Sequence, residues 1–433
     1  MTRMDVAGLL LLGFATGCNA TNTGNPDLPP PKGVELVRSA LQRERDPQVP
    51  DADLQHFASD NRNFALALYA QVRDRSGNLF LAPYSISTAL AMAYAGARGD
   101  TATEMATAMH FGLPGASLHV AFDATDLALA ERPKQVAKKG AHGVQLESFN
   151  AAWVQSGLEF HKDYLDLLAL YYGAGIYSID AMGDNTGTLA RINDWVSDKT
   201  EGRIPMLFDQ LPPTTALVLT NAVYFNADWL FPFDEKMTQD GTFHATAGDV
   251  TVPMMHGALE PDDNDNGPRY AEGTGYQAVE LPYASPDVRM LCILPTGSLD
   301  ALESSLSGGF LDSVLSALES VNGIQVSMPR FQYSDAFELN EPLKALGMQL
   351  AFSASADFSG MLDEQLYIVQ VVHKTFIAVD EKHTEAAGAS GVVLSRLGSL
   401  TQVALDRPFL YLIYDQPTGQ ILFLGRLEDP SVH

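Results

Sequence analysis

The densest set of oxygen ligands in the chain is at 262–267, where Asp262, Asn264, Asn266 and Gly267 match the first half of a calcium loop. In such a loop, alternate oxygen side chains and a turn glycine wrap one hard cation. The bidentate carboxylate that completes the shell belongs at the twelfth position, which here is Gly273, with Glu272 one place early. The stretch therefore reads as an exposed hairpin loop made of the commonest turn formers. No metal site and no cofactor are expected. Nucleophilic chemistry has no better signal, because G-x-S-x-G, H-E-x-x-H, G-x-x-x-x-G-K-[ST] and G-x-G-x-x-G after a strand are all missing. Serine, histidine and aspartate could still meet in space, since a triad is a matter of geometry, but nothing nominates a catalytic residue.

Only two cysteines occur, Cys18 and Cys292, and they supply neither a disulfide framework nor a cysteine-rich metal site. Cys18 closes the apolar stretch VAGLLLLGFATG, which is too short for a mature transmembrane helix and reads as a signal peptide over 1–18. Ala15, Thr16 and Gly17 before it resemble the lipobox of bacterial lipoproteins, whose cysteine becomes the lipidated first residue. That resemblance implies export across the inner membrane and a lipid anchor at the bacterial envelope. An ordinary secretory signal, with an extracellular product, is the alternative. Residues 19–50, rich in Asn, Pro and charge, read as an extended tether, so the folded domain is expected at 51–433.

The formal charge of −26 comes from 27 Lys and Arg against 53 Asp and Glu, a field that repels nucleic acid and anionic lipid. With 46% hydrophobic residues the body is globular. Phe64, Leu68 and Val72 share one helical face, Pro83 opens an Ala-rich helix over 84–97, and Thr101 with Glu104 has capping-box spacing. A further helix spans 184–200. The runs at 215–226 and 366–380 are apolar on both faces, as central strands are. Two more strands flank the Pro417-Thr418-Gly419 turn. Without a βαβ rhythm the class is α+β.

One stretch is unlike any of these elements. From Thr384 to Gly391 the side chains are almost all small, as they must be if the segment is at some time to fit between neighbouring strands.

The stretches NLFLAPYSISTALAMAYAGARGDTATEM (78–105), INDWVSDKTEGRIPMLF (192–208), LTNAVYFNADWLFPFD (219–234), VPMMH (252–256), HKTFIAVDEKHTEAA (373–387) and the C-terminal 406–430 follow one another in an order and spacing that resemble the serpins, from about residue 51 to residue 433. The resemblance implies helices around a large central mixed β-sheet, two smaller sheets and a reactive-centre loop at about 381–407. Asn221 and His373, with Ser85, are similar to the hydrogen-bonded latch at the centre of the main sheet, and Trp229 to the aromatic at its top. Ala82 stands where the family often has a latch serine, which implies one hydrogen bond fewer. The hinge is Glu381, Lys382, His383, Thr384, Glu385, Ala386, Ala387, Gly388, Ala389 and Ser390, with His383 where an inhibitory hinge usually has glycine.

The function so implied is suicide-substrate inhibition of a serine protease by a monomer that is not itself an enzyme. The loop is cleaved, stays acylated to the protease, and slides into the main sheet as a new strand. Side chains of a strand alternate faces, and Thr384, Ala386, Gly388, Ser390, Val392 and Leu394 form one face without charge. The family cuts sixteen residues after the hinge glutamate, which points to the Leu397–Gly398 bond and a chymotrypsin- or elastase-like partner. Cleavage between Arg396 and Leu397 would instead suit a trypsin-like enzyme. A cysteine protease target and a non-inhibitory surface binding protein are the other readings.

Overall fold

The two long apolar runs fold as neighbouring interior strands of a six-stranded sheet. The computed structural model describes residues 30–31, 33–137, 141, 143–200, 202–211, 217–261, 266–382 and 401–432. With strands numbered along the chain, the main sheet runs β1 (Glu35–Val37), β4 (Ile176–Ile179), β3 (Gln145–Gln155), β5 (Leu217–Asn226), β14 (Ile368–Val379) and β13 (Phe331–Glu338). β5 and β14 are parallel, whereas their outer neighbours β3 and β13 are antiparallel to them. A seven-stranded sheet runs β11 (Glu319–Ser320), β8 (Arg269–Gly273), β9 (Tyr276–Pro282), β10 (Val288–Pro295), β16 (Phe409–Asp415), β17 (Gln420–Leu427) and β2 (Leu79–Leu81). A four-stranded sheet runs β15 (Thr401–Ala404), β12 (Ile324–Pro329), β7 (Gly248–Leu259) and β6 (Gln239–Ala245).

The helices are α1 (Asp51–Val72), α2 (Pro83–Tyr94), α3 (Gly99–Ala108), α4 (Ala116–Ala130), α5 (Lys162–Tyr172), α6 (Asn185–Lys199), α7 (Leu299–Ser305), α8 (Gly308–Ala317) and α9 (Asn340–Ala345). This is the α+β architecture that the sequence implies. The period-two alternation of β5 explains its double burial: Leu217, Leu219, Val223 and Phe225 face the main core, while Val218 and Ala222 face α6. In the main core Phe80 stacks on Phe423 at 4.8 Å and Phe225 meets the same ring edge-on at 5.4 Å. The turn after β16 closes through Gly419 at φ +69°, a conformation that favours glycine.

Two expectations are corrected. Thr101 and Glu104 do not form a capping box, because α3 begins at Gly99 and both side chains are used elsewhere. Thr101 Oγ1 accepts the Asp357 N–H at 2.9 Å, and Glu104 Oε2 accepts the N–H groups of Gln349 and Leu350. The helix thus caps a distant turn instead of its own end. The second correction concerns the tether, because residues 33–50 belong to the packed body. β1 pairs with β4 at the edge of the main sheet, Val34 is buried beside α6, and Arg43 is buried against α4.

Candidate functional site

The site is built around the parallel pair β5 and β14, registered from Leu217 opposite Ile368 to Tyr224 opposite Phe376. Above Phe376 the two strands part: β14 continues to Val379 with hydrogen bonds to β13 alone. The opening is lined by Phe225, Ala227, Trp229, Tyr283, Ile377 and Val379.

Three centres hold this pair. At mid-sheet His373 and Asn221 stand directly opposite each other, with His373 Nδ1 2.5 Å from Asn221 Oδ1. His373 Nε2 accepts the backbone N–H of Ala82 at 3.0 Å, which makes Nδ1 the protonated nitrogen. Burial pushes the imidazole down to about 3, so it is neutral and acts as a hydrogen-bonding element of the core. Asn221 Nδ2 then donates to Ser85 Oγ and to Asn150 Oδ1. The latch spans β14, β5, β3 and the first turn of α2. Alanine at 82 does not leave it a bond short, since Ala82 contributes its main chain and Ser85 supplies the hydroxyl.

At the top of the sheet Trp229 stacks on Tyr283, 4.5 Å between centroids, and donates from Nε1 to Asp380 O at 3.0 Å. The Phe233 N–H donates to Glu381 O at 3.0 Å. Glu381, only 2% exposed, takes an Arg330 guanidinium N–H and the Thr238 hydroxyl on its carboxylate. Lys382 turns back through its N–H to Asp380 and through Nζ to Glu235 at 3.2 Å. The chain therefore leaves β14 through a clamped turn.

The outer face is covered by α6 and the segment after it. Ile192, Trp195, Val196, Ile204 and Phe208 pack on Trp153, Val218, Ala222, Val372 and Phe376. Lys374 Nζ donates to Met206 O at 2.6 Å, and the Arg203 guanidinium lies 5.3 Å from the Phe376 ring centroid.

Of the residues singled out by sequence, Ser85, Asn221, His373, Trp229, Glu381 and Lys382 take these places. His383 through Ser390, the bonds Arg396–Leu397 and Leu397–Gly398, and Cys18 lie outside the described residues, as do Asp262 and Asn264 of the calcium pattern. Gly267 O accepts from Arg289, Glu272 accepts from Tyr270, and among the described residues no group of three His, Cys, Asp or Glu is placed to hold a metal. Cys292 is buried in β10 with its thiol pushed up, an unreactive core residue. Sequence reasoning missed Asn150 and Arg330. A polar residue inside the apolar run FNAAWV was a signal for Asn150; Arg330 carried none, because its partner lies 51 residues on.

Two adjacent parallel strands, β5 and β14, joined by a buried latch and ending in a clamped turn at the top of the sheet, define the site. The sequence model of Serpin (serine protease inhibitor) matches residues 59–430, and the chain belongs to that family. It is 35% identical over 443 residues to an uncharacterised serpin-like protein of Thermococcus kodakarensis, covering 100% of both chains. It is 32% identical to the leukocyte elastase inhibitor of Bos taurus, covering 87% of this chain and 100% of that one. Among solved structures, the thermophilic serpin tengpin in its native state matches with TM-score 0.78 and 26% identity over 91% of this chain and 100% of that one. Human thyroxine-binding globulin matches with TM-score 0.75 and 29% identity over 87% and 99%.

Proposed function

We propose that this protein is a suicide-substrate inhibitor of serine proteases with a chymotrypsin- or elastase-like partner. The protease serine attacks the Leu397 carbonyl, the Gly398 amine departs with fragment 398–433, and Leu397 remains as an acyl ester. The freed segment after Glu381 then folds back between β5 and β14 before water hydrolyses the ester. One observation carries the reading. β5 and β14 are parallel and adjacent, and a strand returning from the end of β14 runs antiparallel to both. Such a strand replaces one set of ladder bonds by two, at about 1 kcal/mol net per bond. The twelve residues of β14 span ~40 Å, a travel long enough to drag and deform an attached protease.

Similarity to the leukocyte elastase inhibitor supports the apolar target class. Similarity to thyroxine-binding globulin, together with His383 at the pivot, favours the second reading, a binding serpin that traps nothing. Denaturing gels after mixing with chymotrypsin, elastase and trypsin separate the two. The proposed function gives a denaturant-stable complex and a released fragment beginning at Gly398. A fragment beginning at Leu397, formed with trypsin alone, moves the target to the trypsin-like class, and cleavage without any complex favours the binding serpin. Display from the cell envelope through lipidated Cys18 is part of the proposal; Cys18→Ala that leaves the protein equally membrane-associated and unshortened refutes it.

A further inference from the structure

Residues 33–50 precede the part of the chain that the family's sequence model matches, which starts at residue 59, yet they are tied to the body at each step. β1 adds to the free edge of β4, Ser39 Oγ donates to Asp166 Oδ1 at 2.5 Å, and the Glu44 N–H donates to Leu170 O at 2.9 Å. Between these points Arg43 turns inward, its side chain only 4% exposed. Its Nε lies 2.7 Å from Asp123 Oδ1 and its Nη2 3.3 Å from Asp126 Oδ2, two carboxylates on one face of α4.

A buried arginine at the end of an added arm demands a reason, because desolvating a guanidinium is costly unless its fork is fully used. The fork leads to the latch. Asp126 Oδ1 accepts the Tyr84 hydroxyl at 2.7 Å. Tyr84 sits in the first turn of α2, between Ala82, whose N–H holds His373, and Ser85, whose hydroxyl accepts from Asn221. The sequence of contacts is continuous from the arm to the two strands that must part: Arg43, Asp126, Tyr84, the 82–85 turn, then His373 on β14 and Asn221 on β5. Asp123 Oδ2 has no hydrogen-bond partner among the described residues, so Arg43 is the cation that offsets this buried carboxylate.

We infer that Arg43 is a positioning residue for the latch: acting through Asp126 and Tyr84 it fixes the first turn of α2 and thereby restrains β5 from separating from β14. The inference rests on the proposed reading of the main sheet as a strand acceptor. It gives the arm a task distinct from overall stability. Breaking the relay should make the sheet easier to open, by the roughly tenfold that one charge-assisted hydrogen bond is worth in a rate.

The test measures uptake of a synthetic peptide of residues 384–395 into the full chain, followed by native gel and thermal melting, with protease complex formation run in parallel. Arg43→Met and Tyr84→Phe should take up peptide about tenfold faster than the wild type, and Arg43→Lys, which restores the charge without the fork, should fall between. Tyr164→Phe removes a buried hydroxyl bonded to Met92 O at the other end of α2 and should keep the wild-type rate. If Arg43→Met fails to fold, Tyr84→Phe decides alone, because it leaves both Arg43 ion pairs in place. Wild-type rates in Tyr84→Phe, or equal acceleration in Tyr164→Phe, overturn the inference while leaving the inhibitor reading intact. A wild type that neither takes up peptide nor traps protease overturns both.

Discussion

Glu381 and Arg330 close the top of the main sheet: a single Arg330 guanidinium nitrogen lies 2.5 Å from each carboxylate oxygen of Glu381. The carboxylate is buried while the Arg330 side chain is 47% exposed, so the arginine reaches in from the surface to neutralise a charge at the point where the chain leaves β14. On the proposed function, this pair is what would keep the segment after Glu381 from entering the sheet before cleavage.

Arg330→Ala leaves the Glu381 carboxylate buried with the Thr238 hydroxyl still on it. Removing one partner of a charge-assisted bond costs about 2 kcal/mol. The variant should therefore unfold at lower denaturant and lose inhibitory competence faster on storage, as the uncleaved loop enters the sheet. Unchanged storage life alongside a lowered unfolding midpoint would make the pair merely structural.

The buried histidines set a pH dependence. Burial lowers His373 from the ordinary 6.5 to about 3 and His119, whose Nδ1 is 2.7 Å from the Tyr172 hydroxyl, to about 4. Because both values are depressed, the unfolded chain takes up protons first as pH falls. Their contribution is complete above pH 6.5 and is lost toward pH 3 to 4, at about 1.4 kcal/mol per unit for each. Asp123 works the other way, its carboxyl raised by burial to about 6, so His373 is isolated by substitution. Between pH 7 and 5, His373→Gln should lose about 2 kcal/mol less stability than the wild type in urea titrations. Equal losses would mean that His373 is not held neutral.

The parts of the fold that were legible in the sequence are those written in one continuous stretch. Strands β5 and β14 announce themselves as long runs apolar on both faces. Asn221 and His373 stood out through family resemblance, since a polar residue in such a run must find a partner. What was illegible depends on distant partners. The triplet Glu35-Leu36-Val37, set between prolines and charges, becomes a strand only because β4 offers a free edge. Thr101 and Glu104 have capping spacing, but Asp357 and Gln349 compete for them from elsewhere in the chain. Arg43 looks like one charge in a solvated run until Asp123 and Asp126 bury it.

Hinge chemistry gives a third expectation. Ala386→Arg introduces a charge on the face that insertion must bury, at a cost of several kcal/mol. Insertion then slows, hydrolysis of the acyl ester overtakes it, and the variant should be cleaved as an ordinary substrate. His383→Gly should leave trapping intact or improve it. Stoichiometry titrations against an active-site-calibrated protease read both; wild-type trapping by Ala386→Arg would sink the insertion account.

On the proposed function the cleaved segment after Glu381 becomes a strand between β5 and β14. Thermal and guanidinium unfolding of the intact protein and of the same protein cleaved at Leu397–Gly398 measures this directly. Insertion adds ladder bonds on both sides of a new middle strand, so the cleaved form should melt well above the intact one and resist guanidinium that unfolds it. A cleaved form that melts at or below the temperature of the intact protein would show that the loop stays out of the sheet, and would contradict the account.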